Sequence, residues 1–287
     1  MLVAGAAGML GRDVQRAGER AGHELVALSR AQLDITDTRA VEAAFASARP
    51  QAVINCAAWT DVDAAESRRE QAHAVNADGA RNLAMAAAWE RVPLVHVSTD
   101  YVFSGAAPVD TGGAPRAYVE SDPTAPRSSY GETKLEGERE VLAASPRHLV
   151  ARSSWLFGAG GRNFADTMLR LAGERDAVQV VVDQIGCPTW TGHLAPALIG
   201  LLERGVAGLV HLAGAGHVSW NGFAAEIFRQ AEVRCRVEEA TTAQLARPAP
   251  RPAWSALESE REEVIPLPPW QDGLAGYLAA RAGVARA

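Results

Sequence analysis

Three glycines spaced G-x-x-G-x-x-G, in Gly5-Ala6-Ala7-Gly8-Met9-Leu10-Gly11, stand between a short apolar stub, Met1 to Ala4, and a helical pattern from Asp13 to Ala21. A strand that runs through such a loop into a helix can turn tightly, bring its backbone against a pyrophosphate and pack the helix closely. The free N–H groups of the helix's first turn then face the phosphates. This feature points to an α/β chain that opens on a dinucleotide site, although a purely structural glycine turn would use the same residues. At 287 residues the chain can bury the core of one large α/β unit or of two closely joined ones.

The next strand, His23 to Leu28, ends in Ser29-Arg30. An acidic residue here would bind ribose hydroxyls, whereas an arginine accommodates a 2′-phosphate, so Arg30 leans the cofactor toward NADP. A solvated surface arginine would look the same. Asp34-Ile35-Thr36-Asp37 reads as a loop whose Thr36 or Asp37 caps a helix from Arg39 to Ala48. The buried strand Ala52 to Asn55 is followed by Cys56-Ala57-Ala58, small residues at a strand's carboxyl end, where open α/β sheets bind ligands. Tight helix packing would select them too. Asn76 lies in a long alanine-rich helical pattern, where a buried amide needs partners. It is either a brace for the site or an ordinary capped or water-bound side chain.

Further on, Ser128 to Glu138 reads SSYGETKLEGE. Ser129 and Glu132 have the spacing of a capping box, which starts a helix at Tyr130. Tyr130 and Lys134, four apart, then share one helical face. A phenol titrates near about 10 and exchanges protons poorly at neutral pH unless a cation stabilises its anion. Lys134 is that cation, or the pair is a half-buried tyrosine beside a solvated lysine. The strand Leu94 to Val97 ends in Ser98-Thr99-Asp100-Tyr101-Val102-Phe103. A hydroxyl there supplies a second donor to hold a carbonyl oxygen beside the phenol, or it caps the local backbone. From Gly105 to Arg127 no period is visible, and the stretch reads as a long loop at the mouth of the site.

Composition removes several other classes. A net charge of -6 and a pI near 5.7 give no electrostatic case for nucleic acid or an anionic membrane. Cys56, Cys187 and Cys235 are odd in number and lack CxxC spacing, and the seven histidines form no HExxH, so neither a disulfide framework nor a metal site is expected. A reduced, cytoplasmic location follows. No run approaches 18 apolar residues and no charged segment precedes the apolar start, so a membrane span and a signal peptide are not expected. Lysine is scarce and arginine abundant, a compositional habit of the source.

After the strand His148 to Arg152 the character changes. Strands Val178 to Val182 and Leu209 to Leu212, helices Thr191 to Glu203, Trp220 to Ala231 and about Asp272 to Ala282, and a proline-rich Arg247 to Pro252 suggest a cap interleaved with the sheet. The expected division is a doubly wound Rossmann-type domain of residues 1–152 with roughly 180–215, and a smaller α/β substrate cap of roughly 153–179 and 216–287.

Taken together, these motifs resemble the extended short-chain dehydrogenase/reductase superfamily and, within it, the dTDP-4-dehydrorhamnose reductase family. The matching residues are the Gly5 loop, Leu33-Asp34-Ile35, Asn55 with Ala57 to Asp63, Ala65-Glu66 and Asn76. They continue with STDYVF from Ser98, Tyr130-Gly131 with Thr133-Lys134, Arg152, Trp155 to Gly158, Asn163-Phe164, Asp183-Gln184 with Gly186 and Pro188-Thr189, Arg251-Pro252 with Ser255 and Leu257, and Trp270. The resemblance runs end to end. STDYVF together with the Asp183 stretch is far more specific than the glycine loop. The chain begins almost at that loop, with a first strand shorter than the family's usual one, as a truncated start would leave.

The resemblance implies NADPH as cofactor, with NADH as the alternative, held by Gly5, Gly8, Met9, Leu10, Gly11, Ser29, Arg30, Asp34, Ile35, Ala57, Ala58, Thr60, Asn76, Tyr130 and Lys134. It implies Tyr130, Lys134 and Thr99 as catalytic residues, and Asp100, Tyr101, Trp155 and Arg251 at a nucleotide-sugar substrate, with Arg247 as a rival to Arg251. It allows a homodimer and, by resemblance alone, a magnesium ion. Asp100 is followed by Tyr101 and not by the glutamate usual in the related 4,6-dehydratases, which favours simple ketone reduction. The expected reaction turns a dTDP-4-keto-6-deoxy sugar into its alcohol, dTDP-4-dehydro-β-L-rhamnose into dTDP-β-L-rhamnose. Alternatives are a 4-ketoreductase for another deoxysugar such as dihydrostreptose, an epimerase that retains its NAD, and a non-catalytic NADP-binding regulatory subunit like the β subunit of methionine adenosyltransferase.

Overall fold

The computed structural model describes residues 1–284. The first half alternates strands β1 (Leu2–Ala4), β2 (Val26–Leu28), β3 (Val53–Asn55), β4 (Leu94–Thr99) and β5 (Leu149–Ser153) with helices. These are α1 (Met9–Arg20), α2 (Thr38–Ala48), α3 (Val62–Ser67), α4 (Arg69–His73), α5 (Gly79–Trp89) and α6 (Ser129–Ala144). Then follow β6 (Leu156–Phe157), α7 (Phe164–Ala172), β7 (Ala177–Val181), β8 (Ile185–Gly186), β9 (Thr189–Trp190), α8 (Thr191–Glu203), β10 (Gly208–His211), β11 (Val218–Ser219), α9 (Trp220–Gln230), β12 (Arg236–Ala240) and α10 (Trp270–Val284).

Six strands form one parallel sheet in the order β10-β5-β4-β3-β1-β2. Because alternate side chains point to opposite faces, in-register Val3, Ile54 and Val95 meet α1 and α8 on one side. Leu2, Val53 and Leu94 meet α2 and α5 on the other. Both faces are covered, so the strands can be apolar throughout. The order reverses direction beside β1, and this is where the carboxyl ends of strands leave a crevice.

The shorter strands build a second layer. β7 pairs with β12, β8 with β11 and β6 with β9, around a core of Phe157, Phe223, Ile227, Trp270 and Tyr277 contributed by α7, α9 and α10. The long segment 105–127 is tied down along its length. Arg116 grips Asp122 with two bonds of 2.6 Å, Tyr118 stacks on Phe103 at 4.0 Å, and Glu120 accepts from His211 N–H and the Ser259 hydroxyl. Among the described residues no helix is long and apolar enough to cross a membrane.

Two local predictions change. Ser128, not Ser129, is the cap of α6: its hydroxyl accepts from Gly131 N–H at 3.1 Å. Ser129 N–H instead bonds Glu66 and Glu132 pairs with Arg69, so the capping-box spacing is satisfied by other partners. The helical run around Asn76 is broken by one π-helical turn, Ala74–Asp78, a distortion that recurs at functional sites.

Candidate active site

The crevice at the end of β1, β3 and β4 is a cleft of about 540 Å³. Its floor at one end is the glycine loop. Gly5 takes a left-handed φ of +75°, and a Cβ there would lie 2.6 Å from Ala57 N; one on Gly11 would lie 2.4 Å from Gly5 O. The loop therefore presses backbone on backbone, which only glycine permits. Gly8 caps α1 without any side-chain hydrogen bond, so the first-turn N–H groups are open to an anion. Arg30, Asp34 and Ile35 line the far end of the same cleft. Asp34 accepts from the Thr36 hydroxyl and N–H, which holds its carboxyl below the usual range.

Ala57, Ala58, Trp59 and Thr60 form the middle wall. Asn76 does not reach the cleft; it clamps the Trp59 backbone from behind, accepting from its N–H at 2.8 Å and donating to its C=O at 3.2 Å and to Thr133 Oγ1 at 3.1 Å. The π-helical turn and Gly137 make this possible, since a Cβ at 137 would lie 2.1 Å from Asn76 O.

Tyr130 and Lys134 line the opposite end, with Ser98. Lys134 is buried. Among the described residues its Nζ has no carboxylate within ion-pair distance; it donates to Val97 O at 2.7 Å and lies 3.0 Å from His96 Nε2. Burial pulls it down to about 8, against the pull of Glu138 and Cys56 toward the charged form. Burial pushes the Tyr130 phenol up to about 12; the Thr99 hydroxyl lowers it and Asp100 raises it.

Thr99, Asp100 and Tyr101 sit behind Tyr130 and outside the residues that line the cleft. Tyr101 meets Tyr130 edge to face at 5.5 Å, and Thr99 donates to Asp100 Oδ1 at 3.0 Å. Asp100 Oδ2 is buried and, among the described residues, without a partner, and burial lifts this carboxyl to about 6, opposed by the nearby hydroxyls of Ser255 and Thr99. Trp155 belongs to the same cluster. Its indole lies against Gly186, which Ser255 Oγ also approaches, stacks on Trp220 at 3.5 Å, and its backbone has a φ of +47°. A bulky residue in that region is strained, as residues at functional sites often are.

The cleft and the cluster behind Tyr130 therefore meet at one phenol. The family described as the RmlD substrate binding domain matches residues 1–282. A dTDP-4-dehydrorhamnose reductase of Streptomyces griseus is 44% identical over 98% of this chain and 94% of its own. The chain belongs to the RmlD family of dTDP-4-dehydrorhamnose reductases. A probable dTDP-4,6-dihydroxy-2-methyloxan-3-one 4-ketoreductase of Streptomyces antibioticus is 43% identical over 95% of this chain and 92% of its own. The crystal structure of a dTDP-4-dehydrorhamnose reductase from Bacillus anthracis in complex with NADP superposes with a TM-score of 0.92 at 34% identity, covering 97% of this chain and 98% of that one. The Rossmann-type α/β fold expected from the sequence is the fold of these RmlD reductases.

Not every expected residue of this RmlD member reaches a ligand surface. Ser29 gives both its N–H and its hydroxyl to Gln32, away from the cleft. Arg251 is paired with Asp63 at 3.0 Å, and Arg247 reaches the same carboxylate at 3.4 Å, so the two rivals converge on one partner. Asp63 and Arg251 both act on the Tyr101 phenol, which places them beside the cluster behind Tyr130. For the magnesium ion, the described residues offer no group of three or more His, Cys, Asp or Glu that fits a metal.

Sequence reasoning missed Arg162 and Gly161, which line the cleft from the cap side, with Gly161 against Met9 and Gly160 against Arg12. The cluster Gly158-Ala159-Gly160-Gly161 was the available signal. Lys134, singled out from its spacing to Tyr130, is also the only lysine in the chain.

Proposed function

We propose that this protein reduces the C4 ketone of a dTDP-4-keto-6-deoxy-hexose with NADPH, converting dTDP-4-dehydro-β-L-rhamnose to dTDP-β-L-rhamnose. The observation that carries the reading is that the phenol of Tyr130 borders both the glycine-loop cleft and the Thr99–Asp100–Trp155 cluster. When bound, the nicotinamide cofactor supplies the hydride. Tyr130 donates the proton to the developing alkoxide, and Thr99 turns its hydroxyl hydrogen from Asp100 Oδ1 to the same oxygen. Lys134 binds the ribose and eases loss of the phenol proton. The glycine loop and the open first turn of α1 take the pyrophosphate, and Arg30 the 2′-phosphate. Asp100, Tyr101 and Trp155 surround the sugar; Arg251 orients Tyr101 through Asp63. The six-stranded sheet thus serves the cofactor and the α7–α9–α10 layer the sugar. Free thiols at Cys56, Cys187 and Cys235 fit a reducing cytoplasmic setting.

The test mixes the protein with NADPH and enzymatically generated dTDP-4-dehydrorhamnose and follows cofactor absorbance. Substrate-dependent oxidation is expected, and its absence from a folded, cofactor-binding sample would sink the reductase reading. Tyr130→Phe should retain cofactor binding and lose turnover. The Streptomyces antibioticus likeness favours one second reading, a 4-ketoreductase for another dTDP-deoxysugar. Product analysis separates the two.

A further inference from the structure

Every cationic Lys or Arg position but one is arginine, and the exception is Lys134. A guanidinium remains charged in proteins, whereas a buried lysine can give up its proton. The one position with an amine is thus the one inside the cleft.

Its surroundings have a direction. Asn55, His96 and Lys134 are each 1% exposed and lie in a row across β3, β4 and α6. Asn55 Oδ1 accepts the Ala57 N–H at 2.9 Å, and since a backbone N–H can only donate, this settles which way the amide points. Asn55 Nδ2 is therefore the atom 3.0 Å from His96 Nδ1, and it too can only donate. Nδ1 must accept, so the neutral ring carries its hydrogen on Nε2. That hydrogen points at Lys134 Nζ, 3.0 Å away. Against an ammonium it would set donor on donor; against an amine it meets the lone pair. Lys134 in turn donates to Val97 O. Every group in the row is satisfied with a neutral amine, and one contact fails with an ammonium.

We propose that Asn55 and His96 are positioning residues that set the protonation of Lys134 through this one-way row, so that Lys134 serves Tyr130 as a proton store and not as a permanent cation. The proposal rests on the reductase reading above. In balance, hydride adds to the ketone carbon, the Tyr130 proton goes to the resulting alkoxide oxygen, and Lys134 returns a proton to Tyr130 across the cleft both line. The amine left behind is held by His96 Nε2–H until solvent supplies the next proton. The titratable groups facing Lys134 are Cys56 after β3, His96 on β4 and Glu138 on α6, the last engaged by Arg152 of β5. Burial keeps His96 well below the ordinary imidazole range, so the ring is neutral as the row requires.

A single lysine makes the test direct. Protein grown with ¹³C-labelled lysine gives one side-chain titration, read without cofactor or substrate. His96→Leu removes the donor to the amine, and the midpoint should rise by about one pH unit, a tenfold tighter hold on the proton. The alkaline limb of turnover should move with it. If His96 accepts from an ammonium instead, the same change lowers the midpoint, and a lowered or unchanged midpoint overturns the proposal. So does a midpoint that moves while the turnover profile stays. Should His96→Leu not fold, ¹⁵N-histidine spectra of the wild type still decide: the Nε2–H tautomer of His96 is expected, and the Nδ1–H tautomer would end the argument. Failure of ketone reduction would retract the reductase reading and leave these two measurements standing; failure here leaves that reading intact.

Discussion

One turn of α6 separates two buried charges that are treated in opposite ways. Glu138 accepts from Arg152 at 2.7 and 2.9 Å and from Ser98 at 2.5 Å, so its charge is matched and its lone pairs are used. Lys134, four residues earlier on the same face, has only a carbonyl and a neutral imidazole. The first arrangement holds helix to sheet; the second leaves a cation that can change state. A buried pair with full hydrogen bonding is inert, whereas a buried group without a counter-ion is shifted toward neutrality, which is what proton transfer needs. Asp100 repeats the second pattern with the opposite sign of charge.

Breaking the matched pair should have the largest effect. Arg152→Met leaves Glu138 buried and unpaired, and should cost about 3–5 kcal/mol in urea unfolding. A similar loss for Lys134→Met would erase the contrast. Lys134→Met should instead lower turnover about a hundredfold or more, with no loss of stability at neutral pH. The sign follows from its lowered folded value of about 8. The folded state releases this proton first, so wild-type stability rises with pH from about 8 toward the ordinary lysine value, and the variant should lack that rise.

Asp100→Asn should be next in size. A carboxyl raised to about 6 by burial holds its proton more tightly when folded. Its contribution is then lost as pH climbs from the ordinary aspartate value through about 6, a difference of about 3 kcal/mol above that. The variant should melt higher than wild type at pH 7, match it near pH 4, and turn over more slowly. A lower melting temperature at pH 7 would mean that Asp100 is matched by groups other than Thr99 and Ser255. The smallest effect is expected at the far end of the cleft. Arg30→Ala should reduce the preference for NADPH over NADH about tenfold, the worth of one charge-assisted contact. An unchanged ratio of affinities would remove Arg30 from coenzyme choice.

Much of this site was legible before the fold. The Gly5 loop, the hydroxyl at the end of β4 and the Tyr130–Lys134 spacing are each written within one element and its flanking turn, where geometry follows from a period of two or 3.6 residues. Local competition misled at the start of α6. Ser128 and Ser129 are both competent caps, and the choice fell to Glu66, which takes the Ser129 N–H from 63 residues away. The π-helical turn at Asn76 was likewise unreadable, because it sits where Gly137 approaches from another helix, a contact that no local period encodes.

The sequence by itself determined the parallel α/β architecture, the glycine loop and the residues we propose for the reaction, since these depend on residue type and spacing along one strand or helix. Tertiary structure alone decided which charges are matched. Glu138 meets Arg152 and Lys134 meets His96 only because the register of β3, β4 and β5 stacks Asn55, His96 and Val150 side by side beneath α6. Pairing across strands depends on that register, and the protonation of the chain's one lysine depends on the pairing.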